Sequence, residues 1–298
     1  MSALIECVAN FSEGRRGAII ERIVESIAGV PGASVLAYES DADHNRAVVT
    51  FVGAPAYVSD AAFAGIAQAA ELIDLDQHHG QHPRIGAADV VPFVPLRGAD
   101  MEECVRLARR LGARVGAELR LPVFLYEQAA LQETNRNLAD IRRGGYETLQ
   151  RTIATGAPPQ PDFGPRALGP AGGCVIGARD LLIAFNVFLS TDDVAVAKGI
   201  ARSIRASSGG LPHVKALGLS VRGQAQVSMN LSNYRVTSIP RVVSAIEKEA
   251  RRFGVDIASS QIIGLIPGDA LSAAEAEQLR VENYSPARIL EWQLAQIE

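Results

Sequence analysis

The stretch LLIAFNVFL, residues 181–189, with STDDVAVAKGIARSIRA, residues 190–206, directly behind it, decides the fold class of this chain. The first segment is a short, nearly unbroken apolar run and reads as a buried strand. In the second, Thr191 is placed as the N-cap of a helix over 191–206. Asp192 and Asp193 then fall in its first turn, where carboxylates suit the positive end of the helix dipole. Strands at 213–220 and 224–231, a helix at 238–252 and strand material at 255–266 follow. The order β-α-β-β-α-β is that of the split βαβ, ferredoxin-like unit, in which two helices cover one face of an antiparallel sheet.

The same order is legible over residues 3–95. A strand at 3–9 precedes a helix from Arg16 to Ala28, spaced through Ile19, Ile20, Ile23, Val24 and Ile27. Pro31-Gly32 breaks the chain before strands at 33–39 and 46–52. An Ala-rich helix at 56–73 and a strand at 88–96 complete the unit. An amphipathic helix at 100–118, a strand near 122–126 and helices within 136–154 extend it. The reading is therefore α/β (α+β), with two ferredoxin-like βαββαβ lobes, 1–178 and 179–298. Each lobe would leave one sheet face open, so the sheets are expected to pack face to face, or the open faces to form a dimer.

Composition excludes several classes. The chain has 298 residues, 48% apolar and 21% charged, with a net charge of −4. That balance supplies a core but not the basic surplus of a nucleic-acid binder, and 5% aromatics offers few stacking platforms. No apolar run approaches the ~18 residues of a membrane span, and MSALIECVANFSEG reads as a first strand, not a leader. Cys7, Cys104 and Cys174 form neither a CxxC pair nor a disulfide framework, so they read as small buried hydrophobes in a reducing, cytoplasmic setting.

Three segments carry candidate chemistry. In DLDQHHGQHPRIG (74–86), His78, His79 and His82 suggest a metal site, yet Gly80 and Pro83 interrupt the helix that would align them. His82, restricted by Pro83 and beside Arg84, is the candidate general base, since a cationic neighbour keeps an imidazole neutral. In ESDADHNR (39–46), Glu39, Asp41, Asp43, His44, Asn45 and Arg46 lack calcium-loop spacing; the carboxylates suit a cationic or amidine-like group and Arg46 a carboxylate. In NFSEGRR (10–16), Ser12 and Glu13 are candidate caps, while Asn10 and Arg15-Arg16 are placed to reach a ligand. Asp89 reads as a turn carboxylate. TGAPPQPDFGPRALGPAGG (155–173) is either a linker or a binding loop between lobes, with Phe163, Arg166 and Leu168 favouring the latter. Its glycines lack the lysine of a phosphate loop and lead into a strand.

ECVANFSEGR (6–15), HNRAVVTFVG (44–53), HPRIGAADVVPFVPLRG (82–98), PDFGP (161–165), LIAFNVFL (182–189), SQIIGLIP (260–267) and YSPARILEW (284–292) resemble the formiminotransferase family. The match is almost collinear, and HPRxGAxDVxPFxPxRG is highly specific. The resemblance implies transfer of the formimino group of N-formimino-L-glutamate to N5 of tetrahydrofolate, a late step of histidine degradation feeding one-carbon metabolism. It further implies a cleft or folate-binding tunnel between the two lobes, a homodimer, tetrahydrofolate as co-substrate and small-molecule partners only; the chemistry requires neither metal nor redox cofactor. On this chain the family's catalytic histidine falls on His82. Its folate-binding segment falls on Gly164, Pro165, Arg166, Ala167, Leu168, Gly169, Pro170, Ala171, Gly172 and Gly173. Glu39 stands where the family commonly has aspartate.

The expected chemistry assigns the remaining candidates. Glu39 or Asp41 would stabilise the cationic amidine, Arg46 and Arg84 would take the donor's two carboxylates, and Asn10 and Asn45 would complete the substrate contacts. The chain has no length for the cyclodeaminase domain of the bifunctional relatives. Competing readings are another donor, such as formiminoglycine or a formyl compound, a folate-binding protein without turnover, and a zinc hydrolase built on His78, His79 and His82.

Overall fold

The computed structural model describes residues 3–297, which divide into two units between Asp180 and Leu181. In the first unit the chain runs β1 (Ile5–Phe11), α1 (Gly17–Ala28), β2 (Ala33–Asp41), β3 (Arg46–Gly53), α2 (Pro55–Leu72) and β4 (Ala88–Pro95). These strands lie in the order β2-β3-β1-β4, each antiparallel to its neighbour. The two-residue period of β1 sends Ile5, Cys7, Ala9 and Phe11 into the main core, where Ile23 and Ile27 of α1 and Ile66 of α2 meet them. Glu6, Val8 and Asn10 therefore fall on the opposite sheet face.

The chain continues through α3 (Met101–Arg114), β5 (Val123–Glu127), the short α4 (Leu138–Ile141), α5 (Gly145–Thr152) and β6 (Cys174–Ala178). Strand β6 lies parallel between β4 and β5 and completes a six-stranded sheet, β2-β3-β1-β4-β6-β5. Asp100 caps α3 by accepting from the Glu103 amide at 2.8 Å, a bond worth ~1 kcal/mol. The helix expected to run to 118 loses regular α geometry at Arg114. A wider turn over Val115–Leu119 carries it to Arg120, in the left-handed region. A second, smaller core, with Ile85, Val90, Phe124, Ile141, Leu149 and Val175, forms under α4 and α5.

The second unit runs β7 (Ile183–Leu189), α6 (Val194–Ile204), β8 (Val214–Val221), β9 (Gln224–Leu231), α7 (Ile239–Arg252) and β10 (Ile257–Ile263), followed by α8 (Ala273–Gln278) and α9 (Leu290–Ala295). Its sheet has the order β10-β7-β9-β8, all antiparallel, which is the same split βαβ topology. Ile239, Val242, Val243, Ile246 and Ala250 form the buried stripe of α7. The cap of α6 differs from the expectation: Asp193 accepts from the Ala195 amide at 2.8 Å, and Thr191 instead accepts from the Asp193 amide at 3.2 Å. The acid nearest the first turn has the shorter reach to the orphan amides.

The Pro/Gly segment 155–173 is not a linker between the units. Phe163 bridges to Val123, the Asp162 carboxylate accepts from the Leu125 amide at 2.7 Å, and the segment feeds directly into β6 of the first sheet. All three cysteines are buried, and burial raises their thiols, Cys104 to about 12.

Candidate active site

At one end of the first sheet the C-terminus of β1, the β2–β3 turn and the start of β4 converge with residues 78–86 around a narrow recess lined by His44, Arg46, His82 and Asp89, among others. A β-bulge sets its base. Asn10 pairs with Val90 and Phe11 with Ala88, so Asp89 stands between them without a partner in the ladder. Its carboxylate turns to the Ile85 amide, from which it accepts at 2.8 Å, and to Arg142 Nη2. Arg142 is delivered by α4, which Ile141 pins into the smaller core. With 3% of the Asp89 side chain and 12% of the Arg142 side chain exposed, this is a buried ion pair.

Arg46 opens β3. Its Nη2 donates to Asn10 Oδ1, and Asn10 Nδ2 donates in turn to the Val8 carbonyl at 3.0 Å. Burial and the Arg142 guanidinium push Arg46 down to about 10, against the opposite pull of Asp89, Glu39 and Asp41. Asn10 thus orients Arg46, a positional role for a residue expected to touch substrate.

His82 sits among these charges. Burial holds its imidazole well below the ordinary histidine range, and Arg46, Arg142 and His44 add to the effect, so the ring is neutral at pH 7. The cationic neighbours that achieve this are Arg46 and Arg142, not the adjacent Arg84 of the sequence reading. His44 stands edge-on to His82, with centroids 6.2 Å apart. Asp41 fixes His44 by accepting from its amide at 2.8 Å and facing its Nδ1 at 3.0 Å. The hydrogen bond from His44 holds Asp41 down to about 2. Glu39, opposite Val48 on β2, adds to the field at Arg46.

Several expected ligand-binding groups are engaged by the protein's own polar groups. Arg84 donates from Nε to His78 Nδ1 at 3.0 Å, from Nη2 to the His78 carbonyl at 2.9 Å, and from both terminal nitrogens to Glu147. It clamps the 78–86 segment to α5 while also lining the recess. His78 has both ring nitrogens engaged, since Nε2 donates to the Asn45 carbonyl at 2.9 Å, leaving no lone pair for a metal. Asn45, with φ of 48°, accepts from the Gly14 amide at 2.9 Å and donates to the His79 carbonyl at 3.0 Å. His79 is exposed. Ser12 donates to the Gly86 carbonyl instead of capping α1, while Glu13 accepts from the Arg15 and Arg16 amides ahead of that helix. Among the described residues, no group of three or more His, Cys, Asp or Glu could hold a metal ion.

The segment Gly164–Gly173 lies directly against the His82 segment. The Gly173 amide donates to the Ile85 carbonyl at 2.9 Å, the Ala87 amide to Ala171 at 2.8 Å, and the Leu75 amide to Pro170 at 2.7 Å. Gly86 and Gly172 bridge the two strands of this contact. A side chain at Gly86 would strike the Gly173 carbonyl oxygen, and Gly172 has φ of 71° with no room beside the Ile85 carbonyl, so both positions require glycine. Arg166 and Ala167 are exposed at the tip, whereas Leu168 packs inward.

Asp89 and Arg142 are the partners that sequence reasoning missed. Asp89 reads as a turn carboxylate in sequence because its bulge depends on β1 pairing, and Arg142 follows a four-residue helix with no distinguishing pattern. The assembled site offers a base kept uncharged by burial and by the charge of two guanidinium groups, which nearby carboxylates partly offset. Such a site can bind an anionic molecule and move one proton.

Comparison with known proteins agrees with this chemistry. The formiminotransferase domain, N-terminal subdomain, matches residues 4–179, and the formiminotransferase domain matches residues 184–289. A glutamate formimidoyltransferase of Thermoplasma acidophilum is 48% identical over 97% of this chain and 96% of its own length. One of Streptococcus pyogenes is 42% identical over 95% and 96% respectively. A formimidoyltransferase-cyclodeaminase of Sus scrofa is 41% identical over 95% of this chain but 54% of its own length. Both matched domains fall in chain order on the two structural units, and the chain belongs to the formiminotransferase family.

Proposed function

We propose that this chain transfers the formimino group of N-formimino-L-glutamate to N5 of tetrahydrofolate, releasing 5-formiminotetrahydrofolate and L-glutamate, with His82 as general acid and base. The observation that carries the reading is the placement of His82, in the motif HPRIGAAD, in one recess with His44, Arg46 and Asp89, where burial and the cationic neighbours hold its imidazole well below the ordinary range. Attack of N5 on the amidinium carbon forms one C–N bond and a tetrahedral intermediate. His82 takes the N5 proton and returns it to the glutamate nitrogen as the second C–N bond breaks, so the histidine ends as it began. Arg46 binds a donor carboxylate, and Glu39 and Asp41 favour the cationic amidine.

The Gly164–Gly173 segment is assigned to folate. Its backbone anchorage to Ile85 and Ala87 would fix the co-substrate relative to His82, and such positioning supplies much of the acceleration in a two-substrate transfer. A reducing, cytoplasmic setting suits three buried free thiols, and the homodimer implied by the family is tested by light scattering. The deciding test of function is a spectrophotometric assay of tetrahydrofolate with formimino derivatives of glutamate, glycine and aspartate. Turnover favouring the glutamate derivative supports the proposal, and no product from any donor overturns it.

A further inference from the structure

Two features of the site remain unexplained by a single substrate-binding arginine. First, among the described residues, Nε of Arg46 and Nε of Arg142 are both buried without a hydrogen-bond partner. A buried donor on a cation is costly to leave unmade, and here both donors belong to guanidinium groups whose charge acts on the same histidine. Second, each guanidinium is anchored at Nη2 by a separate device, Asn10 for Arg46 and Asp89 for Arg142. The anchoring keeps the Arg142 guanidinium near enough for its charge to act on Arg46, an arrangement of like charges that opposes folding. An Arg142 that served only to neutralise Asp89 would need neither proximity to Arg46 nor an unused Nε–H.

We infer that Arg142, held by Asp89 and paired with Arg46, is the second cationic arm of the donor subsite and makes the site selective for a donor bearing two carboxylates. Each guanidinium receives one carboxylate, and the donor completes hydrogen bonding that the protein leaves open. The carboxylates of Asp89, Glu39 and Asp41 keep the two guanidinium groups in place before the donor arrives. Arg142 takes the role that the sequence assigned to Arg84, whose own nitrogens are committed to His78 and Glu147.

This inference rests on formimino transfer being the activity, and the test separates the two. Initial rates are measured with N-formimino-L-glutamate and with N-formimino-4-aminobutyrate, which lacks the α-carboxylate, for the full chain and for Arg142→Gln and Arg142→Lys. Loss of one charge-assisted contact predicts that the fall in kcat/KM in Arg142→Gln is about 10- to 100-fold greater for the dicarboxylate donor than for the monocarboxylate, on top of any loss common to both from leaving Asp89 without its cation. Arg142→Lys keeps a cation beside Asp89 but lacks the Nε–H; it should fold normally and lose about 10-fold on the dicarboxylate alone. Calorimetry supplies a readout without turnover: the unmodified protein should bind L-glutamate more tightly than 4-aminobutyrate, and Arg142→Lys should narrow that difference.

Equal losses on both donors in Arg142→Lys would overturn the inference, because Arg142 would then act only through Asp89 or His82. Equal use of both donors by the unmodified protein would also overturn it while leaving formimino transfer intact. Failure of the unmodified protein on every formimino donor would instead remove the activity itself, and the subsite with it.

Discussion

Replacement of Gly86 by alanine tests whether the His82 segment and the 164–173 segment form one rigid unit. A β-carbon at position 86 would lie 1.6 Å from the Gly173 carbonyl oxygen, and contacts under 3.0 Å are essentially never seen. Both obstructing groups are backbone, so no rotamer relieves the clash, and the two segments must separate by about 1.5 Å. Separation stretches the Gly173-to-Ile85 and Ala87-to-Ala171 hydrogen bonds, now 2.9 and 2.8 Å long. At about 1–3 kcal/mol for each buried group left unsatisfied, the cost is about 3–5 kcal/mol. Because His82 lies four residues upstream, a displacement near 1 Å should also lower turnover by ~10². Urea denaturation and initial rates measure the two effects. Gly17→Ala is the stability control: its added methyl meets no atom within 4 Å, in the first turn of α1, and should be neutral or stabilising by up to ~1 kcal/mol. Stability within ~0.5 kcal/mol and unchanged turnover in Gly86→Ala would refute the coupling of the two segments.

Further outcomes follow from the same geometry. Asp89→Ala leaves Arg142 buried without its anion and should cost about 3–5 kcal/mol, but markedly less in an Arg142→Met background; additive losses in the double-mutant cycle would show that the pair is not coupled. His82 and His78 are both held below the ordinary histidine range, so the unfolded chain binds more protons than the folded one as pH drops through about 6.5. Their contribution to stability is complete above that pH and is lost as pH falls toward the folded-state values. The acid limb of kcat/KM should accordingly lie below pH 6.5, and Arg46→Met should move it upward; a limb above 6.5 in the unmodified protein would contradict the environment assigned to His82. Shortening Phe163–Gly173 should weaken tetrahydrofolate binding by calorimetry, and unchanged affinity would remove the segment from the site.

Local chemistry was legible where its consequences were local. The apolar period of α1 and α7, the alternation of β1 and the inertness of the cysteines follow from residues adjacent in sequence or one helical turn apart. The β-α-β-β-α-β order emerged twice for the same reason. Sequence proximity misled where tertiary contact decides. Arg84 is two residues from His82, yet its guanidinium turns to Glu147, 63 positions away. Arg142 reaches the site from a short helix, and its partner Asp89 is aimed by a bulge that exists only once β1 and β4 pair. The proline and glycine run resembled a linker because those residues forbid regular structure, but the same residues permit the close backbone approach between Gly86 and the 172–173 pair.

The central claim is that His82 carries the proton in formimino transfer to tetrahydrofolate. Its most direct test compares the unmodified chain with His82→Ala, at saturating tetrahydrofolate and N-formimino-L-glutamate, while calorimetry follows folate binding. The account predicts product from the unmodified chain, at least a ~10²-fold loss of turnover in the variant, and folate affinity preserved in both. Undiminished turnover in His82→Ala would contradict it.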